Sequence, residues 1–197
     1  MQYFNTLPKI IQTDNTGNSR IFTNLMARVS MIPEILKNPL VYYSYDIQEG
    51  DTPEIIAFKY YGDSYRYWIV LFANELLDPQ WNWPMSQKVF AEYLTQKYPN
   101  DNPQDFHHYE KTITQFDVST NTTTTNMVVV DEEDYNNTTP GTKTYSLPTG
   151  DVVVTTELSV VSIYDYEYKL NEAKRNIKIL NSIYVDQVET EFKKLMS

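Results

Sequence analysis

Apolar and polar residues alternate in short blocks along the chain, and the clearest blocks lie between residues 42 and 85. Tyr43, Tyr45 and Ile47 alternate with polar residues, as in a half-buried strand. Asp51 or Thr52 can then cap a helix that has a proline in its first turn and ends before a glycine suited to a left-handed helix end. A second helix follows, in which Trp68, Ile69, Leu71 and Phe72 can face the first. The pattern predicts a strand, a helix, a short turn and a helix, with the first helix burying Ile55, Ile56 and residues 58–60.

Further helices are predicted on both sides of this module. Met31–Lys37 has a proline near its first turn and ends before Pro39. Ser86 can cap another helix, which ends before Pro99 and has apolar residues at helical spacing: Val89, Phe90, Tyr93 and Leu94.

The C-terminal region has a regular apolar stripe. Its residues recur at steps of three or four: Leu170, Ala173, Ile177, Leu180, Tyr184 and Val188. The stripe predicts a helix with a break at Asn181-Ser182, followed by a second helix. Either this helix closes on the chain's own core, or it binds a partner chain through Ala173, Ile177, Leu180 and Tyr184.

The middle of the chain is rich in threonine and valine, which favour strands. It contains two valine triplets, at 128–130 and 152–154, and a turn sequence at 136–141. We expect an extended β-ribbon or a small antiparallel insertion, with an acidic loop as the alternative. The predicted fold is therefore α+β with a mainly helical N-terminal half. Its segments are an N-terminal arm with a short helix (1–41), the strand–helix–helix module (42–85), a helix and linker (86–109), the acidic β-rich insertion (110–165) and the C-terminal helices (166–197).

Charge and composition exclude several function classes. The chain of 197 residues has a formal net charge of -10 and no cysteine, which excludes disulfides, thiolate catalysis and zinc–thiolate sites. This acidic balance argues against binding to nucleic acid or to an anionic membrane. The first 20 residues lack a signal-peptide pattern, and no window is apolar enough to span a bilayer, so we expect an intracellular product. The 17 tyrosines suit extensive protein interfaces.

No residue pattern predicts catalysis, a cofactor site or a metal site. His107 and His108 are adjacent and therefore point in different directions, which suits metal chelation poorly. Three carboxylates lie close together in the sequence, Glu49, Asp51 and Glu54, but a helix cap and a favourable charge at the helix start explain them better. The acidic run 131–134 lacks the ligand spacing of a calcium loop.

The strand–helix–helix module resembles a LysM domain. The matching positions are Gly50, Asp51, Thr52, Ile56, Ala57, Tyr61, Gly62, Trp68, Ala73, Asn74, Asp78 and Pro79. The resemblance implies a shallow groove beside the first turn, in which such domains bind glycans that contain N-acetylglucosamine. This sequence has Pro53 where LysM domains usually have leucine, and residues 81–84 lead into a helix, so we expect no closing second strand. A LysM-like fold that makes protein contacts is the resulting expectation.

A wider resemblance covers most of residues 1–100 and the C-terminal segment 171–180. Together with the module, residues 3–8, 23–29 and 82–84 are similar to the LysM-containing baseplate wedge subunits of T-even-type contractile-tailed bacteriophages. This implies a non-enzymatic structural protein that joins neighbouring wedges around the central hub. It would be assembled in the host cytoplasm, become part of the virion tail, and bind other wedge and hub-proximal proteins. The acidic insertion could meet a basic neighbour.

The alternative function is a module that binds peptidoglycan or N-acetylglucosamine and anchors a cell-wall or tail enzyme. Such a module would use an aromatic groove around Tyr45, Tyr60 and Trp68.

Overall fold

The computed structural model describes residues 3–27 and 40–196. The chain forms two compact units, one from residues 1–87 and 171–197 and the other from residues 88–170. The predicted helix Met31–Lys37 lies outside the described residues. The fold is α+β, as expected, whereas the division into five segments stays a prediction.

The described helices and strands are numbered in chain order. They are β1 (Lys9–Thr13), β2 (Ser19–Thr23), β3 (Tyr42–Asp46), α1 (Pro53–Tyr61), α2 (Tyr67–Ala73), α3 (Pro79–Asn82), α4 (Gln87–Lys97), β4 (Phe106–Asp117), β5 (Thr122–Val130), α5 (Glu132–Asn137), β6 (Gly141–Leu147), β7 (Gly150–Ser162), α6 (Ile163–Glu172), β8 (Asn176–Leu180) and α7 (Val185–Met196). Short 3-10 turns lie at Tyr3–Asn5, Ser64–Arg66 and Ser182–Tyr184.

The N-terminal half is not mainly helical. Strands β1 and β2 form an antiparallel hairpin whose register runs from Lys9↔Thr23 to Thr13↔Ser19. The Asp14 carboxylate holds the connecting turn by accepting from the backbone N–H of Asn18 at 2.9 Å. The strands carry isoleucine and phenylalanine, which favour extended structure, and they occupy part of the segment predicted to be an N-terminal arm.

The predicted helix that precedes the break at Asn181-Ser182 is wrong between residues 173 and 180, whereas the second helix after the break is confirmed as α7. Helix α6 ends at Glu172, and β8 pairs antiparallel with β3 from Tyr42↔Leu180 to Asp46↔Asn176. The apolar stripe has helical spacing, but Ile177 and Ile179 also alternate with polar residues, and pairing with β3 favours the strand. Residues 81–84 lead into α4 and not into a closing strand, as expected, and the strand that pairs with β3 is β8, which follows the second unit in the sequence.

The core of the first unit lies between the β3–β8 ribbon and three helices, α1, α2 and α7. Trp68 and Phe192 pack with their ring centroids 4.7 Å apart at its centre. Helix α1 turns Ile56 inward as predicted, together with Ala57 and Tyr61. The expected burial of Ile55, Phe58 and Tyr60 is wrong, because these three side chains are exposed.

The second unit is built on a four-stranded antiparallel sheet in the order β5-β4-β7-β6. The residues rich in threonine and valine thus form strands rather than an acidic loop. Helices α4 and α6 meet through Phe90, which contacts the rings of Tyr164 and Tyr168 edge-on. Between these helices the Glu167 carboxylate is only 3% exposed and accepts from Lys97 Nζ at 2.7 Å.

Candidate functional site at the first turn of the β3–α1–α2–β8 unit

The turn 50–52 joins β3 to α1, and local capping fixes its geometry. Gly50 has φ 84°, a conformation that glycine adopts without the Cβ strain of other residues. Thr52 is the N-cap of α1 and accepts from the Ile55 N–H at 3.3 Å, with Pro53 in the first turn. Gly62 ends the helix at φ 70° and donates its N–H to the Phe58 carbonyl. The predicted start and end of this helix are therefore confirmed.

The Asp51 carboxylate connects the strand, the turn and the helix. It accepts from the Tyr45 hydroxyl at 2.5 Å, from the Gln48 N–H at 3.1 Å and from Lys59 Nζ at 2.6 Å. Its side chain is only 6% exposed. Of the two predicted caps, Thr52 caps the helix. Asp51 instead links α1 to β3 through Lys59 and Tyr45.

The pKa of Asp51 reflects these three hydrogen bonds. Burial alone would raise the pKa, but the hydrogen bonds from Lys59, Tyr45 and the Gln48 backbone outweigh burial and hold it below the ordinary aspartate value. The pKa of Lys59 is raised, chiefly by its hydrogen bond to Asp51. Burial and the same carboxylate raise the pKa of Tyr45. Asp51 and Lys59 thus form an ion pair, to which Tyr45 contributes a neutral hydroxyl donor.

Other residues of the same unit cover the turn. The Trp83 indole N–H donates to the Asp51 carbonyl at 2.9 Å, and the Gln87 N–H donates to Glu49 Oε1 at 3.0 Å. Arg175 approaches Glu49 Oε2 at 3.6 Å and donates to the Ile47 carbonyl at 3.0 Å. Polar groups of the turn therefore bind the chain itself.

Asn74 links the end of α2 to β8. Its Nδ2 donates to the Val70 carbonyl at 2.8 Å and to the Lys178 carbonyl at 2.7 Å, while its Oδ1 accepts from the Lys178 N–H at 2.7 Å. The side-chain amide thus takes the place of a neighbouring strand beside β8.

The remaining residues of the LysM-like pattern lie apart from the turn. Ile56, Ala57 and Trp68 are core residues, and Trp68 is only 2% exposed. Asp78 caps the short helix α3 by accepting from the Gln80 N–H at 3.1 Å, with Pro79 in its first turn. The pattern is therefore one of capping and core residues.

The four candidate partner-binding residues do not share a helical face. Ala173 lies in the turn before β8, and Tyr184 lies in the 3-10 turn after it. Ile177 and Leu180 are buried strand residues in the first unit's own core. Burial within the chain excludes an exposed apolar stripe along these positions.

An aromatic groove of three residues is not formed either. Tyr45 and Tyr60 meet edge-on with centroids 5.5 Å apart, but Trp68 lies in the core. Sequence reasoning missed Lys59, Trp83 and Arg175, whose contacts depend on the tertiary fold. The position of Lys59 on the helix that follows Asp51 was the available signal for the first of these.

The part of the chain that the structure describes has neither a metal-ligand cluster nor a membrane-spanning helix. There, no group of histidine, aspartate or glutamate side chains could hold a metal ion. The Nδ1 atoms of His107 and His108 lie 2.7 Å apart and contact each other. Among residues 3–27 and 40–196, no helix is long and apolar enough to cross a membrane.

Comparison with known proteins identifies the class as a structural component of a phage tail baseplate. The model of the base plate wedge protein 53 family matches residues 6–196, so the chain belongs to this family. The chain is also 35% identical over 57 residues to baseplate wedge protein gp53 of Enterobacteria phage T4, and this match covers 29% of each chain. It therefore spans less than a third of that relative's length. The expected class, a virion baseplate protein, is confirmed.

Proposed function

We propose that the chain joins neighbouring baseplate wedges around the central hub of a phage tail through protein–protein contacts. The family match over residues 6–196 carries this proposal. The chain would assemble in the host cytoplasm with other wedge and hub-proximal proteins, and it would act as a structural subunit without catalysis.

We further propose that the β3–α1–α2–β8 unit is a LysM-like domain that binds protein. The order of its elements and the pairing of β3 with β8 support the likeness. Ile55 and Phe58 lie one turn apart on α1 and are 42% and 64% exposed. Exposed apolar residues at this spacing suit contact with another subunit.

Glycan binding is the alternative function, and the contacts at the first turn argue against it. Trp83 donates to the Asp51 carbonyl, and the Asp51 carboxylate already accepts three hydrogen bonds from the chain itself. A sugar would have to displace these bonds to use the same groups. Isothermal titration of the purified chain with an N-acetylglucosamine hexamer should therefore give no saturable heat, whereas saturable binding would favour the alternative.

Phage particles provide the direct test. A phage that lacks the gene for this chain is complemented with the wild type or with the Ile55→Ser, Phe58→Ser double variant, and the chain in purified baseplates is quantified. The double variant should enter baseplates at least about tenfold less, because each lost apolar contact weakens binding by about 1 kcal/mol or more. Leu195→Ser on α7 is a matched control, because Leu195 is also exposed. Normal entry of the double variant with an unchanged melting temperature would contradict the proposed surface.

A further inference from the structure

Strand β5 is one edge of the four-stranded sheet in the second unit. The order β5-β4-β7-β6 leaves the outer side of β5 unpaired by any strand of the described residues. A strand in this position presents a row of backbone N–H and C=O groups that another strand can pair with. Its register with β4 runs without a shift from Tyr109↔Val130 to Asp117↔Thr122. The edge is therefore regular over its whole length.

The hydrogen bonding of the sheet shows which groups point outward. Val118 N–H donates to the Asp151 carbonyl at 3.0 Å, so the even-numbered residues of β4 bond toward β7 and the odd-numbered ones toward β5. The partners of the odd-numbered residues are residues 122, 124, 126, 128 and 130 of β5. The alternate residues therefore direct their N–H and C=O groups away from the sheet: Thr123, Thr125, Met127 and Val129. All four are exposed.

The two edges of this sheet differ in their protection against pairing. Strand β6 is seven residues long, contains Lys143, and is flanked by Pro140 and Pro148. Charges, prolines and short length are the usual means of blocking an edge. Strand β5 has nine residues, Thr-Thr-Thr-Thr-Asn-Met-Val-Val-Val, with no charge, proline or glycine. The unprotected edge therefore suits strand addition, and the protected edge does not.

Charge indicates what kind of chain can bind there. Residues 88–170 contain 13 acidic and five basic residues, for a net charge of -8. A second copy of this unit would be repelled at such a charge. Four acidic residues, 131–134, directly follow β5, and Lys111 offsets one of them, approaching Asp134 at 3.6 Å. An incoming strand that carries lysine or arginine beside this end is the complementary partner.

We propose that β5 pairs with a cationic extended segment of another baseplate protein, which becomes the fifth strand of this sheet. Main-chain hydrogen bonds to Thr123, Thr125, Met127 and Val129 supply the pairing, and residues 131–134 select the basic end. This inference rests on the proposed function, since it names the chemistry of one partner in the baseplate.

Proline substitution tests the pairing. Thr125→Pro removes one outward N–H and keeps the backbone hydrogen bonds to β4, because edge positions of this kind tolerate proline. It also removes the exposed hydroxyl contact between Thr125 and Thr114, at 3.3 Å. Thr144→Pro is the matched control on β6, where residues 142, 144 and 146 point outward by the same alternation. We expect Thr125→Pro to lower incorporation into baseplates about tenfold and Thr144→Pro to leave it near wild type. Equal incorporation of both variants would overturn the proposal.

Cross-linking keeps the test decisive if proline disturbs folding. The chain has no cysteine, so Thr125→Cys and Thr144→Cys each give a single attachment point for a photoreactive probe. In assembled baseplates, the probe at 125 should cross-link one lysine- or arginine-containing segment of a different protein, well above the level seen at 144. No cross-link, or a cross-link to a second copy of this chain, would overturn strand addition. Absence of the wild-type chain from baseplates would instead overturn the proposed function and, with it, this inference.

Discussion

Replacing Asn74 with alanine should destabilise the first unit by separating β8 from the end of α2. The pairs Ile47–Arg175 and Val41–Asn181 are hydrogen-bonded between the strands, so alternation directs the N–H and C=O of Lys178 away from β3. Both groups bond to the Asn74 amide instead, across 104 residues of sequence.

The expected cost follows from the three hydrogen bonds that alanine removes. Each contributes about 1 kcal/mol net, so the loss is about 2–3 kcal/mol in the free energy of unfolding. With a urea m value of about 1.5 kcal/mol/M for a unit of this size, this loss lowers the unfolding midpoint by about 1.3–2 M. Trp68, Trp81 and Trp83 are the chain's tryptophans and belong to the first unit. Tryptophan fluorescence during urea unfolding therefore reports on this unit alone.

Asn176→Ala is a matched control from the same strand. Its side chain is exposed and donates to the exposed Ser44 hydroxyl at 3.2 Å. We expect a cost below about 0.5 kcal/mol for this control, as for ordinary surface changes. If Asn74→Ala shifted the midpoint no more than Asn176→Ala, the amide would not hold β8, and the reasoning would be refuted.

Three further changes test the caps and the buried carboxylates. The folded-state pKa of Asp51 is depressed, so its ionised carboxylate stabilises the first unit at pH values above the ordinary aspartate pKa, and this contribution is lost as the pH falls below that value. Asp51→Asn should therefore flatten the pH dependence of the urea midpoint between pH 5 and pH 3. Burial raises the pKa of Glu167, but its hydrogen bonds, chiefly that from Lys97, outweigh burial and lower the pKa below the ordinary glutamate value. Glu167→Gln should therefore flatten the loss of stability of the second unit at acidic pH, measured by hydrogen exchange in α4. Gly62→Ala should cost about 1 kcal/mol from left-handed strain alone, measured by tryptophan fluorescence, because its added Cβ meets no atom within 4 Å.

Sequence reasoning succeeded where the signal is local. Thr52, Pro53 and Gly62 define α1 through contacts within four residues, and the helix after Ser86 begins and ends as expected. The runs of valine and threonine likewise predict strands in the middle of the chain. These features depend on backbone capping and strand propensity, which a short window of sequence contains.

It failed where a residue's state depends on a distant partner. Ile177 and Leu180 fit a helical stripe, and only pairing with β3, 132 residues away at Tyr45↔Ile177, decides for a strand. The role of Asp51 was likewise hidden, because its donors come from the strand before it and from the far end of the next helix. An apolar stripe with both helical and alternating positions cannot decide between the two structures without its partner.

Side-chain contacts that the sequence could not predict also explain how the first unit accommodates the insertion of residues 88–170. Asn171 is buried and clamps the Met85 backbone from both sides, accepting from its N–H at 2.7 Å and donating to its carbonyl at 3.1 Å. Lys174 Nζ donates to the Trp81 carbonyl at 2.7 Å. These hydrogen bonds from side chains to backbone groups hold residues 81 and 85 beside residues 171 and 174, so the two segments of the first unit are fixed close to residues 87 and 171, where the insertion begins and ends. Because loop-closure entropy rises only slowly with length, the length of the inserted residues 88–170 adds little to the cost of pairing β8 with β3.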